Sequence, residues 1–261
     1  MDYNYHTHTV FCRHASGDAE DYVRRAVENG VKYMGFSDHA PYRQEDGFEL
    51  SWRVQTAEAA EYVRQIAALR EKYKDTVDIR IGYEMEYYPD AFSSMLDTAR
   101  ATGAEYLILG QHFVSREAER APVNMHTVLR SDSEEKLRTY ADTVCEGIRT
   151  CCFTYVAHPD IMNFTGSAEL YLAEMRKICE ASLECNIPLE VNCLGIRDMR
   201  NYPNPGFWRL AGEVGSPVTF GFDAHRAVDA FDGSSVKKAE ELVLTYGLNY
   251  VGRPRVIEIN Q

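Results

Sequence analysis

Short apolar runs and longer amphipathic stretches take turns along this chain, seven times over. That alternation limits the fold more than any other feature. The runs at residues 2–5, 33–37, 77–82, 106–110, 153–157, 188–192 and 217–222 have the length and composition of buried strands. Between them the spacing predicts helices over about 18–29, 54–73, 91–102, 131–149, 168–185, a short one ending near 214, and 235–246. Gly30 and Gly103 stand where the first and third of these should stop. Strand–helix alternation implies a parallel sheet, and seven such units suggest a closed α/β barrel. A doubly wound sheet is the alternative, but no glycine-rich phosphate loop follows the first strand. The chain shows no linker, repeat or low-complexity tract, so residues 1–261 are expected to form one domain.

The histidines fall on this frame in a telling way. Seven of the eight lie at predicted strand ends or just beyond: His6-Thr7-His8, His14, Asp38-His39, His112, His158 and Asp223-Ala224-His225. Residues two apart on a strand share a face, so His6 with His8, and Asp223 with His225, can both point inward. The third strand delivers a carboxylate, Glu84 or Glu86. About nine ligands exceed what one ion takes, which implies two or three metals sharing a bridging carboxylate. Imidazole mixed with carboxylate suits zinc, iron or manganese better than calcium or magnesium. Taken singly, each motif would more often be a packed or surface histidine. The coincidence carries the argument, because none of the seven falls inside a predicted helix.

Other positions are secondary. His126 lies in the polar loop 115–130, long enough to act as a lid or binding loop, and is read as a substrate contact. Arg43, after the second strand, is a further candidate for substrate binding. Glu190 and Asn192 share a face of the sixth strand and can hydrogen-bond near the site. The seven cysteines are odd in number and lack CxxC pairs, which argues for free thiols in a reducing cytosol and against thiolate ligation.

A formal net charge of −12 excludes a general nucleic-acid footprint and leaves a small anionic substrate dependent on local cations. No stretch has the length and apolarity of a membrane span, and no secretory signal is seen, so a cytoplasmic protein without membrane contact is expected. An oligomer is left open.

With these residues in place, the chain resembles the PHP (polymerase and histidinol phosphatase) family of metal-dependent phosphoesterases. The likeness covers nearly the whole chain. It rests on HxH, the loop histidine, Asp-His, Gly82-Tyr83-Glu84, two further histidines and the closing Asp223-Ala224-His225, all in order. The resemblance implies a distorted (β/α)7 barrel and three metals. One would be held by His6, His8, Glu84 and Asp223, a second by Glu84, His112 and His158, and a third by His14, His39 and His225, with Glu84 bridging. It also implies hydrolysis of a phosphomonoester by a metal-bridging hydroxide, with Asp223 and His225 beside the reacting atoms. The segments Gly35-Phe36-Ser37-Asp38-His39-Ala40-Pro41 and Glu190-Val191-Asn192-Cys193-Leu194-Gly195-Ile196-Arg197 look like the family's histidinol-phosphatase branch. Arg197 is then the expected phosphate contact. That branch often carries arginine after His158-Pro159-Asp160, whereas this chain reads Ile161-Met162-Asn163-Phe164, a departure that bears on the phosphoester chosen. Other family activities, on nucleotides, other small phosphoesters or phosphotyrosine, are the alternatives, followed by a non-catalytic metal-binding module. An amidohydrolase-type site fits less well, because the fourth strand delivers His112 and the last motif is Asp-x-His.

Overall fold

The computed structural model describes residues 1–260. Its strands are β1 (Tyr3–Asn4), β2 (Tyr33–His39), β3 (Asp78–Met85), β4 (Tyr106–Leu109), β5 (Leu189–Asn192), β6 (Pro217–Gly221) and β7 (Asn249–Tyr250). The helices are α1 (Ala19–Glu28), α2 (Ala59–Tyr73), α3 (Phe92–Thr102), α4 (Pro122–Met125), α5 (Glu134–Arg149), α6 (Ala168–Cys185), α7 (Cys193–Arg197), α8 (Pro205–Val214) and α9 (Gly233–Tyr246). The strands form two parallel sheets, β1-β2-β3-β4 and β5-β6-β7. Among the described residues no helix is long and apolar enough to cross a membrane.

The two sheets curl toward one another. Val156 bridges Leu109 on one side and Leu189 on the other, and Thr7 bridges Ala224 across the opposite gap. The segment expected as a fifth strand is therefore not a regular one. It hydrogen-bonds to both neighbours, through Ala157 N–H to Leu109 O and Glu190 N–H to Val156 O, but only Val156 makes ladder pairs. The backbone turns left-handed at His158 (φ 30°) and leaves the sheet there. The seventh strand comes instead from the expected tail, where Asn249–Tyr250 adds to the free edge of β6.

Helix ends follow local chemistry. Asp18, Ser133 and Ser167 cap α1, α5 and α6 by accepting from backbone N–H groups. Helix α2 begins five residues later than its pattern suggests, because Val54 N–H is committed to His39 O. The loop expected at 194–206 opens with the one-turn helix α7, capped by Asn192, and loop 115–130 contains a 3-10 turn, Arg116–Arg120, followed by α4. Strand β2 is nearly all buried and β3 wholly so beyond Arg80, the signature of strands covered on both faces. The apolar core packs between this sheet and the helices, with Phe36, Ile81, Tyr83, Leu107, Val144, Ile178 and Trp208 among its fully buried members. What it supports is the C-terminal edge of the sheet, where the polar side chains collect.

Candidate metal centre

Every histidine expected at a strand end arrives at that edge. His6 and His8 follow β1, His39 ends β2, Glu84 lies in β3, His112 follows β4, and Asp223 and His225 follow β6. Their side chains converge on one cavity of about 620 Å³, lined in part by His14, His39, Glu84, His112, His158, Asp223 and His225. Glycine makes room for the carboxylates. A Cβ at Gly110 would collide with the Glu84 carboxylate, and one at Gly221 with Glu190.

Glu84 is the hub. Its Oε2 lies 3.5 Å from His6 Nε2, 3.5 Å from His8 Nε2 and 3.1 Å from His39 Nδ1. Its Oε1 lies 2.8 Å from His158 Nε2 and 3.4 Å from His112 Nε2. Asp223 Oδ1 stands 3.6 Å from His6 Nε2 and 3.3 Å from His8 Nε2. Ligand atoms around a tetrahedral ion bonded at about 2.0–2.1 Å should lie about 3.4 Å apart. The first set therefore has the spacing an ion requires. His6 Nε2, His8 Nε2 and Glu84 Oε1 are also buried without a hydrogen-bond partner, a costly state that a cation would relieve.

The outer histidines group less simply. His14 Nε2 lies 3.3 Å from His39 Nε2, and the His14 and His225 rings stack at 4.8 Å. His8, His39 and His225 also bring nitrogens within 4.8 Å of one another. One neighbour was not expected from the sequence. Cys12, fully buried, places its sulfur within 4.8 Å of ring nitrogens of His14 and His225, although its thiol donates to Thr9 O at 3.1 Å.

Electrostatics agree with a cation site. Burial alone would depress the His6 pKa, but Glu190, Asp223 and Glu84 raise it to about 10. Burial would raise the Glu84 carboxyl, yet His112, His6 and His39 hold it well below its ordinary value. Asp223 is likewise held low against burial, chiefly by His6. His14 is lowered to about 4 by burial and by His225 and His8. Protons and metal ions compete for these nitrogens.

A layer of acceptors stands behind the candidate ligands. Glu190 Oε1 lies 2.8 Å from His6 Nδ1, and its Oε2 accepts from His158 N–H at 3.0 Å and Asn192 Nδ2 at 2.8 Å. Asn192 Nδ2 also reaches Asp223 Oδ2 at 3.1 Å. The shared face of β5 thus serves the site. Glu86 Oε1 lies 2.9 Å from His112 Nδ1, so Glu86 stands behind that imidazole while Glu84 faces it from the cavity side. Asp38 Oδ1 lies 3.4 Å from His8 Nδ1.

The expected substrate contacts divide. His126 lines the cavity and packs near His112 and Phe113. Arg197 does not line it. Its guanidinium sits against Asp229 (3.3 Å) and Asp232 (3.7 Å). Arg43 is exposed near Glu49 and also lies outside the cavity wall. The cavity's arginines are Arg53, Arg200 and Arg226 instead, none of them marked by a sequence motif.

A parallel α/β sheet carrying imidazoles and carboxylates at its C-terminal edge defines an α/β protein with a candidate metal centre. Residues 4–193 match the family described as "PHP domain", and the chain belongs to that family. It is 24% identical over 223 residues to a "Probable histidinol-phosphatase" of Deinococcus radiodurans, covering 85% of each chain. It is 25% identical over 257 residues to a "Histidinol-phosphatase" of Bacillus subtilis, covering 86% of this chain and 93% of that one. A crystal structure of histidinol phosphate phosphatase from Lactococcus lactis, complexed with zinc, L-histidinol and phosphate, superposes with a TM-score of 0.71 at 18% identity, covering 100% of this chain and 98% of that chain.

Proposed function

We propose that the protein hydrolyses L-histidinol phosphate to L-histidinol and phosphate at this centre, with two to three divalent transition-metal ions as cofactors. The two sheets and their bridges are read as one distorted (β/α)7 barrel. The observation that carries the reading is Glu84: five imidazoles lie within 3.5 Å of its two oxygens, in a family whose relatives bear that activity in their names. His6, His8, Glu84 and Asp223 would hold one ion, Glu84, His112 and His158 a second, and His14, His39 and His225 a third. Zinc, iron and manganese all suit these donors. Such ions neutralise phosphate charge and lower the pKa of water from about 15.7 to about 7.

The rest of the work falls to the chain itself. Arg200 reaches the cavity from the loop after α7, and its guanidinium meets the phosphate in place of the arginine that residues 161–164 lack. Asp223 lies 3.3 Å from His225 Nδ1, so the pair can hold a proton close to the departing alcohol. Leu50, Trp52, Phe113 and His126 form a wall suited to an imidazole ring, and Asp198 offers a carboxylate to an ammonium group. A substrate with phosphate at one end and imidazole and amine at the other matches that distribution.

The test is kcat/KM for histidinol phosphate against p-nitrophenyl phosphate, nucleotides and phosphotyrosine peptides, with and without chelator. Strong preference for histidinol phosphate, abolished by metal removal, is expected. Activity that survives full metal removal would sink the proposal, and preference for another phosphoester would move the substrate elsewhere in the family.

A further inference from the structure

Behind His112 lies a buried ionic network that the proposed chemistry does not use. Arg53 is 1% exposed, although it lies in the irregular stretch before α2. Its Nη1 donates to Glu86 Oε2 at 3.2 Å and to Ala40 O at 3.0 Å. Its Nη2 donates to Glu119 Oε1 at 2.6 Å, and the same oxygen accepts from Tyr88 OH at 2.7 Å. One guanidinium therefore ties together three separate parts of the chain. These are the loop after β2, the end of β3, and the 3-10 turn Arg116–Arg120 in the cavity's outer loop. Glu86 in turn receives His112 Nδ1 at 2.9 Å, which turns Nε2 toward Glu84 Oε1 at 3.4 Å.

A buried arginine between two buried carboxylates stabilises the fold only weakly, because desolvation consumes much of the attraction. What it does supply is fixed geometry, since the planar fork can serve both carboxylates at once. Removing it would leave Glu86 and Glu119 facing each other without a cation. Glu86 would lose the contact that holds it under His112, and the 116–120 turn would lose its only buried ionic anchor among the described residues. The turn's other ion pairs to the rest of the chain, Arg116 to Asp90 and Arg120 to Asp46, involve much more exposed side chains, and its neutral ties run through Gln44, which donates to Arg116 O and accepts from Arg120 Nη2, and through Tyr88 OH to Glu119.

We propose that Arg53 is a positioning residue that couples metal binding to closure of the cavity rim, orienting His112 through Glu86 and pinning the 116–120 turn through Glu119. This rests on the reading of the site as a metal centre and is independent of the substrate.

The experiment titrates Zn2+ into the metal-free full chain and follows trypsin cleavage at Arg116, Arg120 and Arg130 with and without Zn2+. Arg53→Met is expected to weaken one binding step by about tenfold to a hundredfold, as loss of support behind a ligand does, and to leave the other steps alone. Zn2+ should slow cleavage of the loop in the parent protein and not in Arg53→Met. Glu119→Gln should keep the Zn2+ isotherm and lose the protection. Arg53→Lys, whose single ammonium cannot serve both carboxylates, should reproduce both effects in weaker form and covers the case in which Arg53→Met does not fold. Wild-type isotherms and protection in both Arg53 variants would overturn the proposal. So would equal weakening of every step, which is the mark of a merely structural role. Neither readout involves a phosphoester, so failure to hydrolyse histidinol phosphate would leave the coupling intact.

Discussion

Glu190→Gln changes one buried oxygen to nitrogen and should separate metal affinity from fold stability. Glu190 is fully buried and accepts three hydrogen bonds: Oε1 from His6 Nδ1, and Oε2 from His158 N–H and Asn192 Nδ2. Glutamine can sit in either of two orientations. With its oxygen toward His6, its NH2 faces two donors, and two buried hydrogen bonds are lost at about 1–3 kcal/mol each. With its oxygen toward His158 and Asn192, both of those bonds survive, and the NH2 donates to His6 Nδ1. The second orientation wins by about 2–6 kcal/mol. It leaves His6 neutral with its proton on Nε2, facing Glu84 and Asp223 at 3.5 and 3.6 Å, so the metal-free fold keeps its hydrogen bonds and gives up the charge pairing between Glu190 and a protonated His6.

That proton sits where an ion must bind. Binding then requires the glutamine to flip or the His6–residue 190 bond to break, and losses of this type cost about tenfold to a hundredfold in metal affinity, or about 1.4–2.8 kcal/mol. Zn2+ affinity by chelator competition, beside thermal unfolding of the metal-free protein, measures both quantities. Expected are a weakened tight step and a melting temperature that approaches that of the parent as pH rises toward 10, where the parent's His6 also loses its charge. Unchanged affinity with a large fall in melting temperature would refute the argument that Glu190 acts through the His6 tautomer.

Four further outcomes follow from the structure. In metal-free protein His6 is raised from 6.5 to about 10, so it contributes stability fully present below pH 6.5 and lost as pH rises toward 10. Melting temperature should fall across that window without metal and stay flat with metal bound; a flat metal-free profile contradicts the assignment. Arg200→Ala should raise KM for the phosphoester by about tenfold, the low end for a charged hydrogen bond, given a half-exposed guanidinium. Arg197→Ala should instead leave KM alone and lower stability by freeing Asp232 and weakening the hold on Asp229, and a reversed pattern in steady-state kinetics would restore Arg197 as the phosphate contact. Trp208→Phe removes the Nε1–H bond to Asp160 Oδ2 at 2.9 Å inside the core, and calorimetry should register a loss of about 1–3 kcal/mol.

The histidines that gather at the cavity are legible in the sequence because each strand end is a local event, readable as an apolar run followed by a histidine. The arginines were not legible for the same reason in reverse. Arg197 and Arg200 are three residues apart, and which one faces the cavity depends on Met199, whose left-handed backbone (φ 53°) reverses the chain after α7. The segment 153–157 has a strand's composition, but its short pairing depends on the turn at His158, which apolarity does not encode. Arg53 and Glu119 lie 66 positions apart, and nothing local to either announces the other. Cys12 carries no local signal because thiolate motifs are recognised by regular spacing, whereas its approach to His14 and His225 is made by the 3-10 turn Val10–Cys12 and the return of the chain after β6.

The groups behind the imidazoles also grade the centre from inside to outside. His6, His8 and His112 each set Nδ1 against a buried carboxylate, from Glu190, Asp38 and Glu86. His14 sets Nδ1 against a backbone carbonyl, Cys12 O at 2.8 Å, and His225 sets Nδ1 between Asp223 O at 3.2 Å and Asp223 Oδ1 at 3.3 Å, a carboxylate oxygen it shares with His6 and His8. A carboxylate makes the ligand nitrogen more basic than a carbonyl does, and it also fixes the ring more firmly. The outer two histidines are more exposed as well, so water competes for whatever they bind. Ions on the Glu84 side should therefore be retained, and an ion on the His14 and His225 side should be the first to leave. Dialysis without chelator, followed by elemental analysis, should remove metal from the parent protein only down to the content that His14→Ala already shows. A His14→Ala protein that begins with the parent's full metal content, or loses its inner metal first, would show that the carboxylates behind the inner ligands do not set the order.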